Sequence, residues 1–152
     1  MANTQAMCSS FLGELLTATH NFTTSTGNTF KAALYLASAT VNASTTAYSS
    51  SGEVTGTNYT AGGVTVTNGT SPLSTNTSTT AGTGYWTPSA SITYTNVTLA
   101  TAFDAVLIYN SSQSNKAVSV HTFGSQTVTA GTFTLTMPSN TTSTALLRLA
   151  TT

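Results

Sequence analysis

Residues 102–138 run AFDAVLIYNSSQSNKAVSVHTFGSQTVTAGTFTLTMP, and the fold is decided there. Phe103–Tyr109 (FDAVLIY) is apolar on both faces, which suits a strand only when both of its faces are covered, so it reads as the central strand of a sheet. Asn110–Asn115 is a polar turn. Lys116–Phe123 follows with period two, Val118 and Val120 pointing inward. Gly124-Ser125 is expected to turn the chain. Gln126–Met137 is then a further strand, with Val128, Phe133 and Leu135 apolar and Gly131 at a bend. Pro138-Ser139-Asn140 marks another turn, and Ala145–Ala150 is the last strand.

Upstream, residues 90–99 form a strand with Ile92 and Tyr94 on one face and Val97 and Leu99 on the other. The phase slips at Thr95-Asn96, as at a β-bulge. Phe30–Ala37 alternates as a half-buried strand, with Phe30, Ala32, Leu34 and Leu36 on one face and Lys31 and Tyr35 on the other. Residues 38–53 are a loop or weak edge strand. Gly62-Gly63 breaks the chain before Val64 and Val66, and Asn68-Gly69 is a turn signal. Residues 69–84 (GTSPLSTNTSTTAGTG) have no apolar period and are expected to be a long exposed loop ending at Tyr85-Trp86. The one helix expected lies within residues 5–20. Cys8, Phe11, Leu12, Leu15 and Leu16 make an apolar stripe there, Ser9 or Ser10 is available as a cap, and Glu14 is placed to suit the helix dipole. Its stripe is expected to be buried, on its own sandwich or on a neighbour. About eight short strands with turn signals every 8–12 residues predict an all-β fold, a β-sandwich or jelly roll, with a short N-terminal helix. Residues 1–28 are assigned to an N-terminal helical segment or arm, and 29–152 to a single β-sandwich domain.

Composition narrows the function. Only 4% of the 152 residues are charged, three cations against three anions, for a net charge of zero; an ordinary soluble domain carries roughly 25%. Thr makes up roughly a quarter of the chain and is β-branched, so it suits the outward faces of strands. Three scattered cations cannot neutralise a phosphate backbone or grip an anionic bilayer, so nucleic acid and membrane are not expected partners. The first residues lack the basic and apolar regions of a secretory signal. The single Cys8 excludes an intrachain disulfide and reads as a buried free thiol.

The residues of catalysis are present but not arranged for it. His20, His121, Asp104 and many serines occur without a Gly-x-Ser-x-Gly elbow, and His121 alternates with Val120 as a half-exposed strand residue. Glu14, Glu53 and Asp104 fall in three separate elements, which is unlike a glycosidase pair; Asp104 beside Phe103 suits structural hydrogen bonding. Dispersed His and carboxylate residues give no metal-ligand spacing, so neither metal nor cofactor is expected, and the protein is read as a non-enzyme. Tyr85-Trp86 is either a platform for stacking sugars or a pair packed into a core or interface.

Two segments, SGEVTGTNYTAGGVTVTN (51–68) and residues 102–138, resemble a group of small virion proteins of tailed bacteriophages. The likeness covers most of the chain from about residue 29, the second segment being the more specific. The resemblance implies a capsid decoration, or cement, protein: a β-sandwich or jelly-roll unit on the outer surface of the phage head that binds the major capsid protein and ties capsomers together. It implies a homo-oligomer, a trimer first and a dimer second. It supplies no catalytic residues. The alternative is a neck or tail structural protein, or a receptor- or carbohydrate-binding module of a tail fibre using Tyr85, Trp86 and the 69–84 loop. Low charge fits assembly independently, because it removes the repulsion that keeps proteins apart. The expected partner-contact residues are Phe11, Leu12, Leu15, Leu16, Tyr85 and Trp86.

Overall fold

Phe103–Tyr109 is hydrogen-bonded to a neighbour on each side, and every residue of it except Asp104 is buried. It belongs to a much longer strand. The computed structural model describes residues 2–75 and 82–151. Among them are β1 (Ala6–Met7), α1 (Ser9–Leu16), β2 (Phe30–Leu36), β3 (Val64–Thr65), β4 (Leu73–Ser74), β5 (Thr83–Trp86), β6 (Ile92–Asn110), β7 (Lys116–Leu135) and β8 (Leu147–Ala150). They form two antiparallel sheets, β1-β7-β6-β2-β3 and β4-β5-β8. The fold is all-β and sandwich-like, with one short helix.

One expected turn is not a turn, and two expected strands are one. The strands read over 90–99 and 103–109 are parts of the single 19-residue β6, and Gly124-Ser125 lies inside the 20-residue β7. The chain bends at these places by slipping register. Between Phe103↔Gln126 and Ala105↔Thr122 the β7 side carries extra residues, so Gly124-Ser125 is absorbed as a bulge. The slip expected at Thr95-Asn96 is present, with Asn96 in the left-handed region (φ 52°), where Asn is tolerated. The bend expected at Gly131 is made one residue earlier, by Ala130 (φ 45°). The turn over 110–115 is as the polar run predicts, with Ser114 and Asn115 both left-handed.

β2 is buried on both faces, not one. Ala33 and Tyr35 are covered as fully as Phe30, Ala32 and Leu34. Segment 38–53 folds over the Tyr35 side: the Tyr35 hydroxyl donates to the Ser49 carbonyl, and Glu53 makes an isolated bridge to Tyr35. Gly63 lets β3 start against β2. Its φ is +71°, and a Cβ there would stand 1.7 Å from the Ala32 carbonyl oxygen, so both conformation and space demand glycine. Residues 76–81 of the expected 69–84 loop lie outside the described residues. The flanks are not loop, because Leu73 and Ser74 pair with Tyr85 and Gly84.

The helix is shorter than expected. Ala6 and Met7 pair with Val120 and Ser119 on the edge of the large sheet, and the helix begins only at Ser9. Its N-cap is Cys8, with no side-chain cap bond, so neither Ser9 nor Ser10 fills that role. Glu14 falls beyond the first turn, away from the positive end of the dipole, and works through an ion pair instead. Phe11 and Phe22 sit in the same core as β2, β6 and β7, so residues 2–28 share that core.

Candidate functional site

An apolar cleft of about 150 Å³ opens between α1 and the small sheet. Phe11 and Leu15 line it from the helix, Leu73 from β4, Tyr85 and Trp86 from β5, and Leu149 from β8. Four of the six expected contact residues therefore meet here, though about 70 residues separate the two pairs in sequence. The other two, Leu12 and Leu16, do not line it. At about 100° per residue, Leu12 and Leu16 lie further round the helix than Phe11 and Leu15, on the side away from Glu14. Phe11 is buried and Leu15 half-buried, while Leu12 is 46% and Leu16 90% exposed. Across the cleft Leu73 is 51% and Leu149 44% exposed. An apolar strip thus runs from the helix over the cleft to the small sheet.

Aromatic rings join this site to the core. Phe22 stacks on Phe30 of β2 at 4.2 Å between centroids, meets Trp86 at 4.8 Å and meets Phe11 edge-on at 6.0 Å. Trp86 is only 2% exposed, and its indole N–H donates to Asn68 Oδ1 and the Thr70 carbonyl, both at 3.0 Å. Its ring is packed and satisfied, so it offers no open face to a sugar. Tyr85 is the half-exposed member of the pair.

A polar network holds the other face of the helix. Lys116 Nζ of β7 donates to Glu14 Oε1 at 2.6 Å. His20 Nε2 lies 2.7 Å from Glu14 Oε2, and its Nδ1 lies 3.0 Å from Asn110 Nδ2. The Asn110 amide is fixed, because its Oδ1 accepts from the Ser112 N–H and its Nδ2 also donates to Asn28 Oδ1. His20 Nδ1 is therefore the acceptor, and the proton sits on Nε2 and is donated to Glu14. Burial pushes the Glu14 carboxyl up, but the hydrogen bonds from Lys116 and His20, and the Lys116 charge, outweigh it and hold the pKa below its usual value. Nothing in the sequence marks this network, since it joins residues 14–28 to residues 110–116.

The remaining reactive groups are committed elsewhere. Ser119 Oγ stands 2.9 Å from His121 Nε2, a spacing that suits a nucleophile and its base. Ser119 is only 1% exposed, however, so its hydroxyl cannot reach a substrate carbonyl. Burial pulls the pKa of His121 down to about 4. Asp104 accepts from Asn3 Nδ2 at 2.6 Å, which ties the N-terminal segment to β6. Glu53 is buried and accepts from Tyr48 Oη at 2.6 Å, Tyr59 Oη at 2.7 Å and the Gly62 N–H at 2.8 Å. Burial first, and then this carboxylate, raise the pKa of Tyr59 and Tyr48. Cys8 is fully buried, and burial, with Glu14 nearby, pushes its thiol up to about 11. Among the described residues no three His, Cys, Asp or Glu side chains gather where a metal ion would sit.

What this arrangement can do is bind by apolar contact. No family model, no curated protein and no solved structure matches the chain.

Proposed function

We propose that this protein is a structural protein of a tailed-phage particle, of the decoration or cement type, which acts by assembly and carries out no reaction. The resemblance of residues 51–68 and 102–138 suggests the virion. The observation that carries the assembly reading is the apolar strip around the cleft, on a chain with few charges. Of these, Glu14 and Lys116 pair and Glu53 is buried, while Arg148 is exposed and donates to the Ser143 carbonyl. Attachment to a shell would then rest on apolar contact and hydrogen bonds.

The test is to wash purified particles in low and high sodium chloride and count the copies retained. At 1 M salt the Debye length is about 3 Å, which strips a charge-driven partner but leaves apolar burial in place. Copies should be retained in sodium chloride and released in guanidinium, which solvates apolar and peptide groups. Loss at high sodium chloride would refute the charge-independent attachment. A cryo-EM map of the particle with this density on the tail or neck, and none on the head, would refute the decoration role.

A further inference from the structure

We infer that the cleft and the leucines beside it form a twofold self-association surface, with Leu16 of each copy entering the cleft of the other. The inference rests on the assembly reading above and names the partner: a second copy of this chain.

Area comes first. Leu12, Leu16, Leu73 and Leu149 are 46%, 90%, 51% and 44% exposed. Together they leave roughly 400 Å² of leucine in water, as much as the largest apolar patch of a typical monomer, about 300–600 Å². A stable interface buries about 800 Å² per partner. The four leucines supply about half of that, and Leu15, Pro72 and Tyr85 of the cleft lining add to it.

Shape selects the second copy. The strip holds a knob and a hole side by side. Leu16 projects from the last turn of α1, and the cleft is about 150 Å³ with an apolar lining. An apolar cavity of that size holds a benzene-sized group of six carbons, so it admits the four-carbon side chain of leucine. When knob and hole share one patch, a twofold axis satisfies both at once and the assembly closes as a pair. A threefold ring needs them on separate faces.

Charge agrees. The net charge is zero, so two copies do not repel. The carboxylate nearest the strip, Glu14, is already paired with Lys116. Arg148, between Leu147 and Leu149 on β8, has its guanidinium on the Ser143 carbonyl.

The test is molar mass by light scattering across a wide concentration range, for the full chain and three variants. The wild type should reach twice 15.5 kDa. Leu16→Glu and Leu149→Lys should fall to the monomer mass, with dissociation constants at least tenfold weaker. Thr127→Glu, an exposed site on the distal half of β7, should stay paired. Leu16 is nearly all in solvent, so its variant should keep the wild-type circular dichroism spectrum, which separates lost pairing from lost folding. A wild type that stays at the monomer mass overturns the inference, as does a Leu16→Glu protein that remains paired or a mass of three chains. The particle assay distinguishes the two ideas. Monomers that still coat the shell refute self-association and leave the virion reading standing. Pairs that never bind a shell do the reverse.

Discussion

Replacing Phe11 with Ala measures how firmly the helix is fixed to the sandwich. The ring is buried and contacts His20 at 4.9 Å and Phe22 at 6.0 Å between centroids. Truncating a buried Phe to Ala costs about 3–5 kcal/mol, part transfer and part cavity. Here the ring borders a cleft already open to solvent, so the new space is partly filled by water and the loss belongs at the low end, about 3 kcal/mol. For a chain of this size each kcal/mol lowers Tm by about 2–4 °C, which makes the expected drop roughly 6–12 °C. Urea unfolding at low protein concentration should give the same free energy, with an unchanged slope. Leu16→Ala is the companion: that side chain is 90% exposed, and in the dilute monomer its loss should stay within about 0.5 kcal/mol of wild type. If Phe11→Ala costs under about 1 kcal/mol, or Leu16→Ala costs as much, the division of the helix into an anchored and a free face is wrong.

Glu53→Ala should destabilise by about 3 kcal/mol, because it leaves the Tyr59 and Tyr48 hydroxyls and the Gly62 N–H without their acceptor; denaturant titration showing no loss would mean that water replaces the carboxylate freely. Stability should also fall with acid in two stages. The unfolded chain takes a proton on His121 near pH 6.5, the folded one only near 4, so the unfolded state binds more protons in between. This contribution is complete above pH 6.5 and is lost toward pH 4, on the order of 2–3 kcal/mol. Glu14, held below its usual 4.5, adds a loss of the same sign at lower pH. His121→Gln should flatten the upper stage and spare the lower one; an unchanged slope between pH 6.5 and 4 would refute the assignment to His121.

Sequence pattern locates elements wherever local sterics and burial decide them. FDAVLIY is apolar throughout and lies at the sheet centre, the 110–115 turn is polar, and Asn96 sits at a phase slip. The pattern fails where a distant partner decides. Gly124-Ser125 has the residues of a turn, but β6 stays alongside and the pair is absorbed as a bulge. Ala6–Met7 falls within the stretch read as helix, yet the edge of β7 offers backbone partners that local propensity cannot register. Leu73–Ser74 has no apolar period, because its reason to be a strand is Tyr85 and Gly84. Phe11, Leu15, Tyr85 and Trp86 are each recognisable as apolar or aromatic side chains in need of cover. Their meeting is not, because it depends on how the small sheet docks against the helix through Phe22.

The contrast between the long β6–β7 hairpin and the two-residue β1 also sets an order of events in folding. The hairpin closes at Asn110↔Lys116, six positions apart, whereas β1 reaches β7 at Ala6↔Val120, about 114 apart. Chain closure grows as (3/2)RT ln n, so bringing the N-terminus home first costs roughly 2–3 kcal/mol more than zipping the hairpin. Nor can two rungs of ladder hold β1 before its other contacts form: Asn3 on Asp104 and the Leu36 carbonyl, and Phe11 on the ring cluster. The frame therefore assembles without its first residues, and the N-terminal segment closes over it last. Pulse-labelled hydrogen exchange during refolding should protect Val106 and Val118 before Cys8, and the opposite order would count against this sequence. A growing chain emerges in the other direction, so the leucine-bearing helix stays undocked until β7 has been made.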